Sequence, residues 1–230
     1  MLALVFGAVL LLANCKKDDN FVQKDVLTVN TTDGYTDVNF VNCQYNLDNL
    51  PTETLSEAEK SSILFMREEE KLAMDIYMTL HDKWSTAHAF HNISQSEMTH
   101  TDAMLQLIVK YNLTDPVGTN GTGVFVNTTL QTMYDDLVLQ GETSLIEALK
   151  VGALVEEVDI LDLKNALNTF VDNQDVEMVY ENLMAASRNH LRAFVKNLTN
   201  QGVTYVPQKL TQAEYDEIIN GDWEHGHHGG

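Results

Sequence analysis

Residues 93–111 read ISQSEMTHTDAMLQLIVKY. Apolar residues recur at spacings of three and four: Ile93, then Met104, Leu107 and Tyr111, with Glu97 and His100 filling the same stripe. That period is helical, and the stripe faces a core. A Glu and a His three apart on a buried stripe is costly, because a buried carboxylate loses several kcal/mol unless it is paired or metal-bound.

Three more helices show the same irregularity. The stripe Ile63, Met66, Glu70, Ala73, Tyr77, Leu80, Trp84 lies on a helix expected over 56–83, with Ser56 and Glu59 at capping-box spacing. The helix carrying Glu97 is expected over about 94–112. Leu149, Ala153, Glu156, Ile160, Leu163, Leu167 mark a helix over about 142–170, and Val179, Leu183, Ser187, His190, Phe194 one over 174–200. Pro116 and the Gly118–Gly123 stretch stop the second helix. A short helix over 130–140 then sits in a long crossover between helices 2 and 3. The expected fold is all-α, a four-helix bundle over residues 55–202. Each helix carries an ionisable residue on its apolar face, at similar depth. Carboxylates and imidazoles together suit iron, manganese or zinc.

The remaining chain reads differently. Residues 2–13, LALVFGAVLLLA, are too short to span a bilayer as a helix and fit a signal-peptide core. Leu12-Ala13-Asn14-Cys15 resembles a bacterial lipobox, and Lys16-Lys17-Asp18-Asp19 resembles the start of a mature Bacteroidetes-type lipoprotein. That resemblance implies lipidation of Cys15, a membrane anchor, and residence in the cell envelope as an outer-membrane, surface-exposed lipoprotein. Residues 16–54 read as a polar tether with a short strand-like stretch near Thr36–Val41. Cys43 reads as a partly buried small side chain in a partly extended segment. Residues 203–230 read as an extension with a short amphipathic stretch around Leu210–Ile219 and a His/Gly tail (His225, His227, His228).

With 34 Asp+Glu against 14 Lys+Arg, the formal charge is -20. Phosphate contacts need basic patches, so nucleic acid is not expected as a partner. Two cysteines exclude a disulfide framework.

Several segments together resemble a known superfamily. Glu97-Met98-Thr99-His100 is similar to the Glu-x-x-His pair of ferritin-like di-metal proteins. Glu70-Lys71-Leu72-Ala73-Met74-Asp75-Ile76-Tyr77 resembles the first ferritin helix. The segments 66–73, 152–160 and 186–194 resemble an archaeal and bacterial ferritin-like family catalogued as a domain of unknown function. The resemblance covers about residues 56–215. It implies a ferritin-like fold and a metal site of Glu70, Glu97, His100, Glu156 and His190, holding one or two ions of iron or manganese. Glu157 is an extra carboxylate within reach. Tyr77 and Ser187 are expected beside the ligands.

Ser187 departs from the family pattern, which places a Glu three residues before the His. The site then holds one metal firmly, or a second weakly, or water and Glu157 fill the gap. Two functions follow from the resemblance. One is redox chemistry with a small-molecule oxidant, dioxygen or peroxide. The other is a non-enzymatic metal-binding or surface interaction module with a degenerate di-metal site. A homodimer is compatible with both.

Overall fold

The structure is a computed structural model that describes residues 21–226. The Cys15 lipobox and the tail residues His227 and His228 lie outside the described residues. In chain order the elements are β1 (Leu27–Asn30), β2 (Tyr35–Val38), α1 (Phe40–Asn49), α2 (Glu57–Lys83), α3 (His88–Lys110), α4 (Thr128–Gly141), α5 (Leu145–Thr169), α6 (Gln174–Asn200) and α7 (Gln212–Asn220). The protein is mainly helical. The four longest helices pack as two pairs, α2 on α3 and α5 on α6, and the pairs meet through α2–α5 and α3–α6 contacts.

The ends of the helices follow from local chemistry. Ser56 and Glu59 form a reciprocal capping box on α2. Glu59 then reaches across to the backbone N–H groups of Asp172 and Asn173, tying the start of α2 to the α5–α6 turn. Asn127 caps α4, Ser144 caps α5, and a Thr211–Glu214 capping box starts α7. Helix α3 begins at His88, earlier than its sequence pattern implied, and has no side-chain cap.

The apolar core is split. One cluster is built around Tyr77, Phe90 and Phe194, the other around Ile63, Met104 and Leu183. On each of α2, α3, α5 and α6 the ionisable residues fall between positions that feed one cluster and positions that feed the other. A polar layer therefore crosses the middle of the helices, with hydrophobic packing above and below it.

Two expectations are corrected. Residues 27–49 are no tether: they form a hairpin and a helix that pack against α3 and α6. Their alternating burial hides Thr36 and Val38 while the intervening residues stay half-exposed, a pattern too short to stand out in a polar stretch. The segment around Cys43 is helical rather than extended, capped by Asn39. Cys43 is fully buried, and burial pushes its thiol up to about 12, so it is inert as a nucleophile.

Buried charges of the helices also hold the connections. Glu68 accepts from the N–H groups of Val126 (2.5 Å) and Asn127 (3.1 Å). Lys71 pairs with Asp75, donates to the Gly121 carbonyl (2.9 Å) and lies over the Phe125 ring. The crossover before α4 is pinned to α2 in this way. Glu157 does the same for the C-terminal segment: it accepts from Tyr205 Oη (2.6 Å), Gln208 N (3.0 Å), Lys209 N (2.7 Å) and Leu210 N (2.8 Å). Removing a carboxylate with that many donors leaves them unsatisfied. Glu157→Ala is expected to cost on the order of 3 kcal/mol in urea unfolding.

Candidate metal centre

Glu97 and His100 are one turn apart on α3, so both enter the polar layer. Glu97 is 2% exposed and His100 and His190 are fully buried. Glu97 reaches both imidazoles: its Oε2 lies 2.9 Å from His100 Nδ1, and its Oε1 lies 2.8 Å from His190 Nδ1 on α6. Glu70 on α2 places Oε2 3.4 Å from His100 Nδ1. Glu156 on α5 places Oε1 3.7 Å from His190 Nδ1. The two rings are stacked, with centroids 5.3 Å apart and 12° between planes. The result is two half-sites, Glu70 with His100 and Glu156 with His190, bridged by Glu97. Glu97, His100 and His190 offer ligand atoms that all lie within 4.8 Å of one another.

The sequence-derived residues do not all meet here. Glu70, Glu97, His100, Glu156 and His190 do. Glu157 is turned away by about 100° of helix rotation and anchors the C-terminal segment instead, so it is not an extra ligand. Tyr77 donates to Glu156 Oε1 (2.6 Å). Ser187 donates to Asp159 Oδ2 and to the Leu183 carbonyl (2.9 Å). A carboxylate from α5 thus meets Ser187, the position whose missing Glu set this helix apart.

Three participants were missed. Asp159 lies three residues after Glu156, the same spacing as Glu97 and His100, so a signal existed. Glu69 was hidden in the run Glu68-Glu69-Glu70, all three of which are buried. Thr36 gave no signal, because it acts through its backbone. Its N–H donates to His190 Nε2 (3.2 Å), and its carbonyl lies 2.8 Å from His100 Nε2 and accepts from Ser96 Oγ. Asn189 donates to the Thr36 hydroxyl (3.0 Å). One edge of β2 pairs with β1, with Thr36 opposite Val29, while the Thr36 peptide faces α3 and α6. Gly34 permits this approach. Its φ is 77°, and an added Cβ would sit 2.7 Å from Ala193 Cβ. The same peptide gives the two rings different roles at Nε2. Facing a carbonyl, His100 Nε2 carries a proton, leaving Nδ1 to face the site. Facing an N–H, Nε2 of the neutral His190 ring is an acceptor, which puts that ring's proton on Nδ1, toward Glu97 Oε1.

The electrostatics are set by crowding. Burial works against the charge on Glu97, but the His100 and His190 imidazoles hold its carboxyl well below the usual range. Burial raises Glu70 to about 7, partly offset by His100. Glu156 is raised by burial and by Glu97. Burial disfavours both imidazolium ions, yet Glu97 and Glu70 push His100 well up, and Glu97 and Glu156 push His190 up to about 9. Glu69 and Asp159 are raised well above the carboxylate range by burial and by neighbouring carboxylates. Three buried carboxylates keep oxygens without a hydrogen bond: Glu70 Oε1, Asp159 Oδ1 and both oxygens of Glu69, whereas Nδ1 of His100 and of His190 each meet an oxygen of Glu97. A cation held by Glu97, His100 and His190 would meet a mixed oxygen–nitrogen set, which fits a first-row divalent metal.

A protein-family model described as an uncharacterized protein domain, DUF2202, matches residues 59–222. The chain belongs to this family. It is 48% identical over 180 residues to the uncharacterized protein MJ0754 of Methanocaldococcus jannaschii, covering 78% of this chain and 96% of that protein. The crystal structure of MJ0754, named a hypothetical protein, superposes with a TM-score of 0.74 at 49% identity, covering 76% of this chain and 99% of the other. Thr36 lies outside the part matched by the family model.

These pKa shifts have a consequence for the metal-free protein. Glu70 moves from 4.5 to about 7 and His190 from 6.5 to about 9, so the folded state holds protons that the unfolded chain has released. Their stabilisation is present below the unfolded values and is lost as pH rises through about 7 and about 9. Glu97 acts with the opposite sign, but its window lies below 4.5. The melting temperature of the metal-free protein is therefore expected to fall between about pH 5 and pH 9, as measured by calorimetry. A saturating divalent cation is expected to flatten that fall, because it takes the place of the protons.

Proposed function

We propose that this family member is a ferritin-like four-helix-bundle metalloprotein, anchored by a lipid on Cys15 at the cell envelope, that binds iron or manganese in its core. The observation that carries the reading is Glu97, whose two oxygens face His100 and His190 from a position 2% exposed. The pairing of α2 with α3 and α5 with α6, joined by a long crossover, supports the ferritin-like reading. The apolar run before Cys15 and the acidic residues after it support the outer-membrane, surface-exposed location.

Reduced iron or manganese, if held here, would supply electrons to dioxygen or peroxide. The chain's own residues set the conditions. Glu70, Glu97 and His100 would hold one ion; Glu156 and His190 would help to hold a second only once the His190 Nδ1 proton, which faces Glu97, has been released. Asp159, oriented by Ser187, supplies a carboxylate where α6 lacks one. Tyr77 fixes the Glu156 carboxylate and keeps its own proton, because burial and Glu156 hold the phenol well above its usual range. The Thr36 peptide keeps both rings in place. The two apolar clusters keep water from the layer between them.

A second reading is a non-enzymatic metal-binding or surface interaction module. Ser187 favours it, since the second Glu-x-x-His pair is broken. Zinc suits that role.

Metal analysis after anaerobic loading with iron(II) or manganese(II) tests binding. One or two ions per chain are expected in the unaltered protein, and Glu97→Ala is expected to weaken binding about 100-fold. No bound metal, or binding untouched by Glu97→Ala, contradicts the proposal. Peroxide consumption by the loaded protein separates the redox reading from the non-enzymatic one.

A further inference from the structure

The Thr36 peptide meets both imidazoles, and it is held in turn by contacts that lead to the C-terminal segment. Asn189 on α6 is fully buried, and its amide uses both donor and both acceptor positions. Nδ2 donates to the Thr36 hydroxyl (3.0 Å) and to the Glu224 carbonyl (2.8 Å). Oδ1 accepts from Glu224 N (3.0 Å) and from Arg192 Nη1 (2.8 Å). Three of these four contacts are made by Glu224 or by an arginine that Glu224 holds. The orientation of the Asn189 amide, and so of the donor it offers Thr36, is set from the C-terminal side.

The Glu224 side chain closes the same arrangement. It sits in the guanidinium fork of Arg188, whose Nε lies 2.8 Å from Oε1 and 2.9 Å from Oε2 and whose Nη2 donates to Oε2. Arg192 Nη2 donates to Oε1 (3.1 Å), while its Nε donates to the Ile218 carbonyl (2.8 Å) near the end of α7. A carboxylate between two guanidinium groups is held by charge as well as by geometry. Two residues on, Gly226 lies between α6 and β1. Its φ is 82°, and an added Cβ would collide with Asn182 Oδ1 and lie 3.1 Å from Leu27 Cγ. Residues 222–226 thus form a strap across α6 and the hairpin. Thr36 and Glu224 both lie outside the part matched by the family model, and Asn189, inside it, joins them.

We propose that Asn189 and Glu224 are positioning residues for the Glu97 centre: the strap locks the Thr36 peptide onto His100 and His190, and its release loosens both rings. When the strap lifts, Asn189 loses both backbone partners on Glu224, and Arg192 loses its carboxylate. A buried amide left unpaired is costly, so it turns toward entering water and gives up the Thr36 hydroxyl. The inference rests on the reading that the Glu97 centre binds a metal; the strap then sets how fast the ion leaves. The Glu224 side chain is 28% exposed, so its ion pairs add little to overall stability, and the lock can fail without unfolding the helices.

Amide hydrogen exchange, followed by NMR on the full, metal-free protein, tests the lock. Glu224→Lys sets a like charge against Arg188 and Arg192 and is expected to lift the strap. The Thr36 amide should then exchange about tenfold faster or more, while core amides of α2 and α5 keep their rates. Release of cobalt(II) from the loaded protein to excess chelator, read by visible absorbance, tests the consequence for the centre. It should be about tenfold faster in Glu224→Lys. Thr36 exchange at the unaltered rate overturns the proposal. So does exchange that rises equally in α2 and α5, which makes the strap a contributor to global stability alone, and so does cobalt release at the unaltered rate beside a loosened Thr36. If the unaltered protein takes up no cobalt, the metal reading of the Glu97 centre falls and the positioning role with it, while faster Thr36 exchange would still uphold the lock itself.

Discussion

The structure depends on one unfavourable act, the burial of Glu69, Glu70, Glu97, Glu156 and Asp159 with His100 and His190 in one layer. Each carboxylate there costs several kcal/mol if left charged and alone. Hydrogen bonds within the protein satisfy only part of the layer. Tyr77 serves Glu156, Ser187 serves Asp159, and the Thr36 peptide serves both imidazoles. Glu69, Glu70 and Asp159 keep buried oxygens without a hydrogen bond, which protons or a metal ion can stabilise and hydrophobic packing cannot.

The rest of the fold keeps that layer closed and in register. Hydrophobic clusters on either side hold the four long helices, and the polar layer lies where the clusters meet. The acidic run on α2 divides its work by direction: Glu68 fastens the crossover, Glu69 faces α5, and Glu70 faces His100. On α5 the same rotation separates Glu156, in the layer, from Glu157, which fastens the C-terminal segment. Adjacent acids thus serve stability and site chemistry separately, so their substitutions are expected to have different readouts.

The helical core was legible because its period is long and repeated, and because its interruptions by Glu and His are rare. The residues that meet around Glu97 followed from those interruptions. Asp159 carried a usable spacing that was outweighed by the adjacent Glu157, a residue one helical step off the site. Glu69 could not be separated from its neighbours, since three consecutive acids look like a solvated face. The hairpin resembles a tether in sequence because its strands are four residues each and mostly polar. Its contribution, the peptide group of Thr36, leaves no trace in side-chain chemistry. What was illegible is therefore what acts through backbone or through small rotations on a helix.

The most direct test is anomalous diffraction from crystals loaded with iron(II) or manganese(II), recorded at the metal's absorption edge. The account predicts a peak beside Glu97, in coordinating contact with His100 Nδ1. Diffraction that shows Glu97 hydrogen-bonded to both imidazoles, with no anomalous peak among them under saturating metal, would contradict it.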